Sequence, residues 1–269
     1  MYGTFFNCIS LTSIDLTNFN TINLVDMQGF LANCNSLTSI DMSNFITDKI
    51  IHMNNLFQNC NSLKSIDLSN FNTENVENMF SLFYGCNSLE YVNLSNFKTS
   101  KVTDLTSLFF MCESLTSVDI SHFDTSNVEN MNYMFEACRS LKSLNVFNFD
   151  TSKVTSIFGM FAGCSGLSSL NITNFNTENL INMDYFLEEY TSLTSIDLSN
   201  FKTEKIPNMT EVFTNCIKLT YIDISNFGNS TYYFNLFRGL PENGTIIINN
   251  KIKNKINISD SWIIINVDE

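Results

Sequence analysis

Cysteine recurs along this chain at a fixed interval. It occupies Cys8, Cys34, Cys60, Cys86, Cys112, Cys138, Cys164 and Cys216, always 26 residues apart except for one gap of 52 whose midpoint is Tyr190. A period of this size implies a stacked array, because one copy is too short to bury its own apolar face and its neighbours must cover it. With each cysteine slot set to zero, the third residue is Leu in all nine copies, from Leu11 to Leu219, and the sixth is Ile, Val or Leu. The eighth is aliphatic or Met, the eleventh is always Phe (Phe19 to Phe227), and the thirteenth is Thr in the first eight copies, Thr21 to Thr203.

Each copy carries two hydrophobic periods. Leu63, Ile66 and Leu68 end in strict alternation, which predicts a short strand with its apolar side inward. Apolar residues then fall three apart, as in Val102, Leu105 and Leu108. That spacing predicts a 3₁₀ or short α-helical turn, with Thr73 before Glu74 as its N-cap. There are only 9 Gly and 2 Pro in 269 residues, about 4 % of the chain where ordinary usage is ~12 %. The corners must therefore be built from something else. Asn18, Asn44 and Asn70, each just before the invariant Phe, are expected to turn them, since Asn tolerates left-handed backbone and bonds its own main chain. The expected fold is α/β: a right-handed, curved solenoid of leucine-rich-repeat type, with one short parallel strand and one short helical turn per 26-residue repeat.

The string Cys86-x-x-Leu89-x-x-Val92-x-Leu94-x-x-Phe97-x-Thr99, closed by Leu108-Phe109-x-x-Cys112, resembles the BspA-like leucine-rich-repeat surface proteins of microbes. The match is to the branch with Asn-Phe-x-Thr repeats of about this length and runs from residue 1 to about 240. The resemblance implies a binding or adhesion protein exposed at the cell surface or secreted.

The ends of the array differ from its middle. Leu236-Phe237 comes two places early, and the next cysteine slot falls on Leu240. Residues 1–240 are read as nine stacked repeats, the first partial and the last shortened. Residues 241–269, with a turn at Pro241 to Gly244 and strands around Ile246 and Ile264, are read as a C-terminal cap. Met1 falls in the repeat's own Met slot (compare Met27 and Met53), so the first rung is expected to be uncapped and available for self-association. Met1-Tyr2-Gly3-Thr4 has neither the basic flank nor the apolar stretch of a secretory signal, which keeps a cytoplasmic setting open.

Three groups of residues are candidates for chemistry. The cysteines have no Cys-x-x-Cys pairing for a metal, and a single column is explained by packing of a small hydrophobe, so all eight are read as structural. Between the inward aliphatics of each strand stands Asp or Asn: Asp15, Asp41, Asp67, Asn93, Asp119, Asn145, Asn171, Asp197 and Asp223. These point onto the exposed sheet face, where neighbouring carboxylates about 5 Å apart repel by ~0.8 kcal/mol even with water-like screening. Serine hydroxyls, water, a basic partner or a cation must offset them. Asp15, Asp41 and Asp67 form the option for calcium, without calcium-loop spacing. The third group is where copies disagree. Tyr91, Phe147 and Tyr221 replace Ser or Thr, Glu90 replaces Thr or Lys, and His122 replaces Asn. Exposed aromatics on a repeat surface are typical partner contacts, and these three lie too far apart for one pocket.

Composition narrows the function. The formal charge of −13 disfavours a nucleic-acid partner, and no apolar run reaches the ~18 residues of a membrane span. With two histidines in different columns, no phosphate-binding glycine loop and no nucleophile elbow, an enzyme is not expected, and no cofactor is implied. Two readings follow. One is a surface protein that binds a protein or glycan through the sheet face. The other is a structural scaffold that assembles through its first rung.

Overall fold

The computed structural model describes residues 1–268 as a parallel β-solenoid. Its named strands are short: β1 (Ser65–Asp67), β2 (Tyr91–Asn93), β3 (Ser195–Asp197), β4 (Asn208–Thr210), β5 (Tyr221–Asp223), β6 (Tyr232–Phe234), β7 (Thr245–Ile248) and β8 (Ile263–Asn266). β1 pairs with β2 in parallel, Ile66 opposite Val92, and the order β3-β5-β7-β8 forms a second parallel sheet on the same side of the repeat. Ser117 bridges Ser143 between them. Residues 245–248 and 263–266 thus carry the sheet on by two further parallel strands. Trp262 is buried there, its ring against Gly244 and its indole N–H donating to the Pro241 carbonyl at 3.0 Å.

No helix is present among the described residues, so the expected helical turn is corrected. Its place is taken by a second parallel ladder and a chain of tight turns. Single bridges run Asp26↔His52, His52↔Asn78, Asn78↔Asp104 and onward to Asn182, and the ladder widens into the β4–β6 pair. Beyond it, alternate N–H groups of Met79, Ser81, Phe83 and Gly85 donate to Asp104, Thr106, Leu108 and Phe110 of the next rung. Those donors are then unavailable for the i→i−4 bonds of a helix. Leu82 and Cys86 close turns onto the carbonyls of Met79 and Phe83. The third residue of each turn, Ser81 (φ 54°) or Gly85 (φ 70°), is left-handed, as a type II turn requires. The turns return an apolar side chain to the core every few residues, which reproduces the spacing of a helical turn without one.

Two other local expectations are corrected. Thr73 does not cap its own segment. Its buried Oγ1 accepts from the Lys98 N–H at 2.7 Å and donates to the Lys98 carbonyl at 2.9 Å, clamping two rungs together. Thr47 and Asn72, and Thr177 and Lys202, repeat the exchange. The corner asparagines are not left-handed. Asn44 and Asn70 instead donate their side-chain amides to corner carbonyls of the preceding rung, Leu16 and Met42 among them. His122, the one departure in that column, sets Nε2 3.2 Å from the Leu94 carbonyl and makes the same cross-rung link with a ring.

The core is a set of columns. Phe57, Phe83, Phe109, Phe135 and Phe161 stack face to face with ring centroids 5.5, 5.5, 5.7 and 5.8 Å apart. Each buried ring contributes roughly 1.5–3 kcal/mol by removal from water. The thiols of Cys34 to Cys164 and of Cys216 donate to a carbonyl 29 residues earlier, for instance Cys86 to Phe57 at 3.1 Å. Where Tyr190 replaces cysteine, the residue three places before it is Leu187, as Leu31 is before Cys34, whereas the other copies carry Phe there. The Tyr190 hydroxyl is buried without a partner, which costs about 1–3 kcal/mol.

All eight cysteines are unpaired, and only Cys8 is half-exposed. Burial pushes the Cys34 thiol up to about 11 and those of Cys86 and Cys216 up to about 12. A thiol must ionise to alkylate. Iodoacetamide under native conditions at mild alkaline pH should therefore add a single adduct, at Cys8, whereas denaturant should release all eight sites. Mass spectrometry of the intact chain reads the difference, and native labelling of Cys86 or Cys112 would contradict the packing role.

Candidate functional site

The exposed face of the strand sheet is where the alternation places the Asp/Asn column, and each member does a local job there. A side-chain oxygen of Asp15 accepts from the Thr17 N–H at 2.9 Å, and those of Asp41, Asp67 and Asp197 accept from Ser43, Ser69 and Ser199 at 2.9 Å. Asp119 and Asp223 do the same with Ser121 and Ser225. Asn93, Asn145 and Asn171 repeat it with an amide oxygen. This is an Asx turn at the end of every strand, and a carboxylate or an amide serves equally, which is why the column alternates between them. The N–H and hydroxyl donors lower the pKa of Asp15, Asp41, Asp67 and Asp119. The repulsion expected along the ladder is thereby offset within the chain. Among the described residues no group of three or more His, Cys, Asp or Glu side chains is placed to hold a metal ion.

The aromatic departures do stand on this surface. Tyr91 is 55 % exposed, Phe147 42 % and Tyr221 38 %, and Glu90 beside Tyr91 is exposed as well. Tyr91 faces Ser65 across the β1–β2 pair, and Tyr221 lies between Ser195 and Thr245. At a rung spacing of ~4.8 Å, Phe147 lies roughly 10 Å from Tyr91 along the stack, and Tyr221 about 14 Å further. They make separated contact points on a rigid face and no common pocket.

A second aromatic set escaped the column-by-column reading. Tyr84, Phe110, Tyr133, Phe158 and Tyr185 form one continuous surface track along five successive rungs, with centroid separations of 4.6, 6.0, 4.9 and 5.1 Å. They occupy three different repeat positions, so no single column reads as aromatic. The two left-handed turns per copy bring those three positions side by side.

The family model described as "Mycoplasma protein of unknown function, DUF285" matches three overlapping stretches, residues 1–93, 86–169 and 142–243. No curated protein matches the chain. Among solved structures, a leucine rich cell surface protein from Faecalibacterium prausnitzii A2-165 aligns with 86 % of this chain and 76 % of its own, at 18 % identity and a TM-score of 0.34. No helix among the described residues is long and apolar enough to cross a membrane. With its repeats matched by the family model over almost their full extent, the chain belongs to the DUF285 family.

Proposed function

We propose that this chain is a non-enzymatic binding protein of a microbial cell surface, recognising a protein or glycan through the exposed strand face. The observation that supports this reading is the contrast within that face. Most rungs present small hydroxyl side chains locked by Asx turns, and Tyr91, Phe147 and Tyr221 project from them. Large amphipathic rings on a backbone held rung to rung lose little entropy on binding, which is what makes aromatic residues strong contact points. The BspA-like character of the repeat supplies the surface setting.

Two measurements test the reading separately. Protease treatment of intact source cells should remove the chain while a cytosolic control survives, and survival of the chain until lysis overturns the surface assignment. The labelled chain should also bind members of a combined array of glycans and matrix proteins. The Y91S/F147S/Y221S triple variant should bind them at least about tenfold more weakly, the loss of a few partly exposed ring contacts. Unchanged binding by that variant removes the strand face from consideration.

A further inference from the structure

The track of Tyr84, Phe110, Tyr133, Phe158 and Tyr185 lies in the turn-rich half of each repeat, half a turn of the chain away from the strand face. All five rings are half-buried, each resting on its neighbour and keeping part of its surface open. Two local features shape the track. Tyr133 and Tyr185, with φ of 56° and 59°, occupy the left-handed turn position of the repeat, filled in other copies by Gly29, Asn55, Ser81, Ser107, Gly159 and Glu211. Gly159 completes the arrangement. A Cβ there would come within 2.9 Å of the Tyr133 ring and 3.1 Å of the Glu136 carboxylate, so the missing side chain lets both lie over the next rung.

The charge beside the track is predominantly negative. Glu136, Glu188 and Glu189 border a cleft of about 110 Å³ next to the rings, and Asp184 and Glu211 continue the acidic edge. Arg139 borders the same cleft but pairs with Glu113 at 3.9 Å, and Arg238 lies 3.9 Å from Glu211. Among the described residues no ion pair reaches Glu136 or Glu188. Burial first, and the neighbouring Glu188 second, push the Glu136 carboxyl up to about 7. Burial, Glu211 and Glu189 raise Glu188, with Arg238 offsetting them only in part. Half-buried carboxylates that repel one another beside a row of partly exposed aromatic rings match one chemistry, a row of cationic side chains. Guanidinium and ammonium groups stack on aromatic faces and neutralise the carboxylates in the same contact.

We propose that this aromatic track, with Glu136 and Glu188 at its edge, binds an extended polypeptide segment rich in arginine or lysine. The site is independent of the strand face, and the two fail separately. The probe is a fluorescein-labelled octa-arginine peptide, titrated with the full chain in about 0.15 M salt and read by anisotropy. The Y133N/Y185N variant should bind about tenfold more weakly at unchanged net charge, while its melting temperature stays level or rises. Asn is the residue that the same turn position already tolerates at Asn55 and Asn235, with φ of 57° and 51°. E136Q should also weaken binding, and Y91S, on the strand face, should leave it unchanged. The proposal is overturned if the parent chain does not bind the peptide, or if Y133N/Y185N binds it as tightly as the parent, which would show adsorption to net charge alone. Tighter binding of neutral cellohexaose than of octa-arginine would overturn it as well, by assigning the track to a glycan.

Discussion

Replacing Phe109 by alanine should lower the stability of the solenoid by about 3–5 kcal/mol. The ring is fully buried between Phe83 at 5.5 Å and Phe135 at 5.7 Å, so its removal opens a cavity bounded by aromatic faces on both sides. Ordinary cores recover part of such a loss by collapse. Here collapse is resisted, because the N–H groups of Phe83 and Phe109 are tied to Leu108 and Met134, which fixes the distance between rungs. In a stacked array each rung is stabilised by its two neighbours, so a weakened middle rung also weakens the coupling between the halves. Denaturant unfolding followed by circular dichroism should show a lower midpoint, with a broadened or divided transition. A loss under about 1 kcal/mol would mean that the stack is not a principal source of stability.

Replacing Thr73 by valine should remove roughly 2–3 kcal/mol without changing the shape of the core. Valine fills the same volume but leaves the Lys98 N–H and carbonyl without the hydroxyl that now serves both. Thr73 is 1 % exposed, so water does not readily substitute. The main contribution is the desolvated, unpaired N–H, which costs more than a hydrogen bond gains. Serine at the same position keeps the hydroxyl and should lose much less. Equal stability of T73V and the parent in denaturant titration would show that the cross-rung clamp is dispensable. The comparison also separates the clamp from a capping role, since an N-cap serves N–H groups of its own segment and not one 25 residues on.

The repeat itself was legible because burial is periodic. Apart from the buried Thr column of Thr73, the inward columns of the structure, from Leu37 and Ile66 through Phe71 to Phe83, are apolar in the sequence at a constant offset from the cysteine slot. The Asp/Asn column was placed correctly on the exposed face by alternation alone, and so were Tyr91, Phe147 and Tyr221. The local chemistry of the polar columns was misread. Thr73 beside Glu74 has the composition of a helix start, and Asn70 before Phe71 has that of a corner. Each of those readings assumed partners within the same copy, whereas the structure supplies partners one full rung away.

Period, stacking, inward columns and exposed face all follow from which side chains avoid water, and that preference belongs to each residue type. Whether apolar residues three apart make a helix or a chain of turns depends on where the backbone N–H groups find acceptors, and parallel rungs at ~4.8 Å offer acceptors that an isolated copy lacks. The turns then set the aromatic track. Tyr84, Tyr133 and Phe158 occupy different repeat positions, and only left-handed residues at two places in each copy fold those positions into one line. Hydrophobicity is carried residue by residue, whereas hydrogen-bond partners 25 residues distant exist only once the stack has formed.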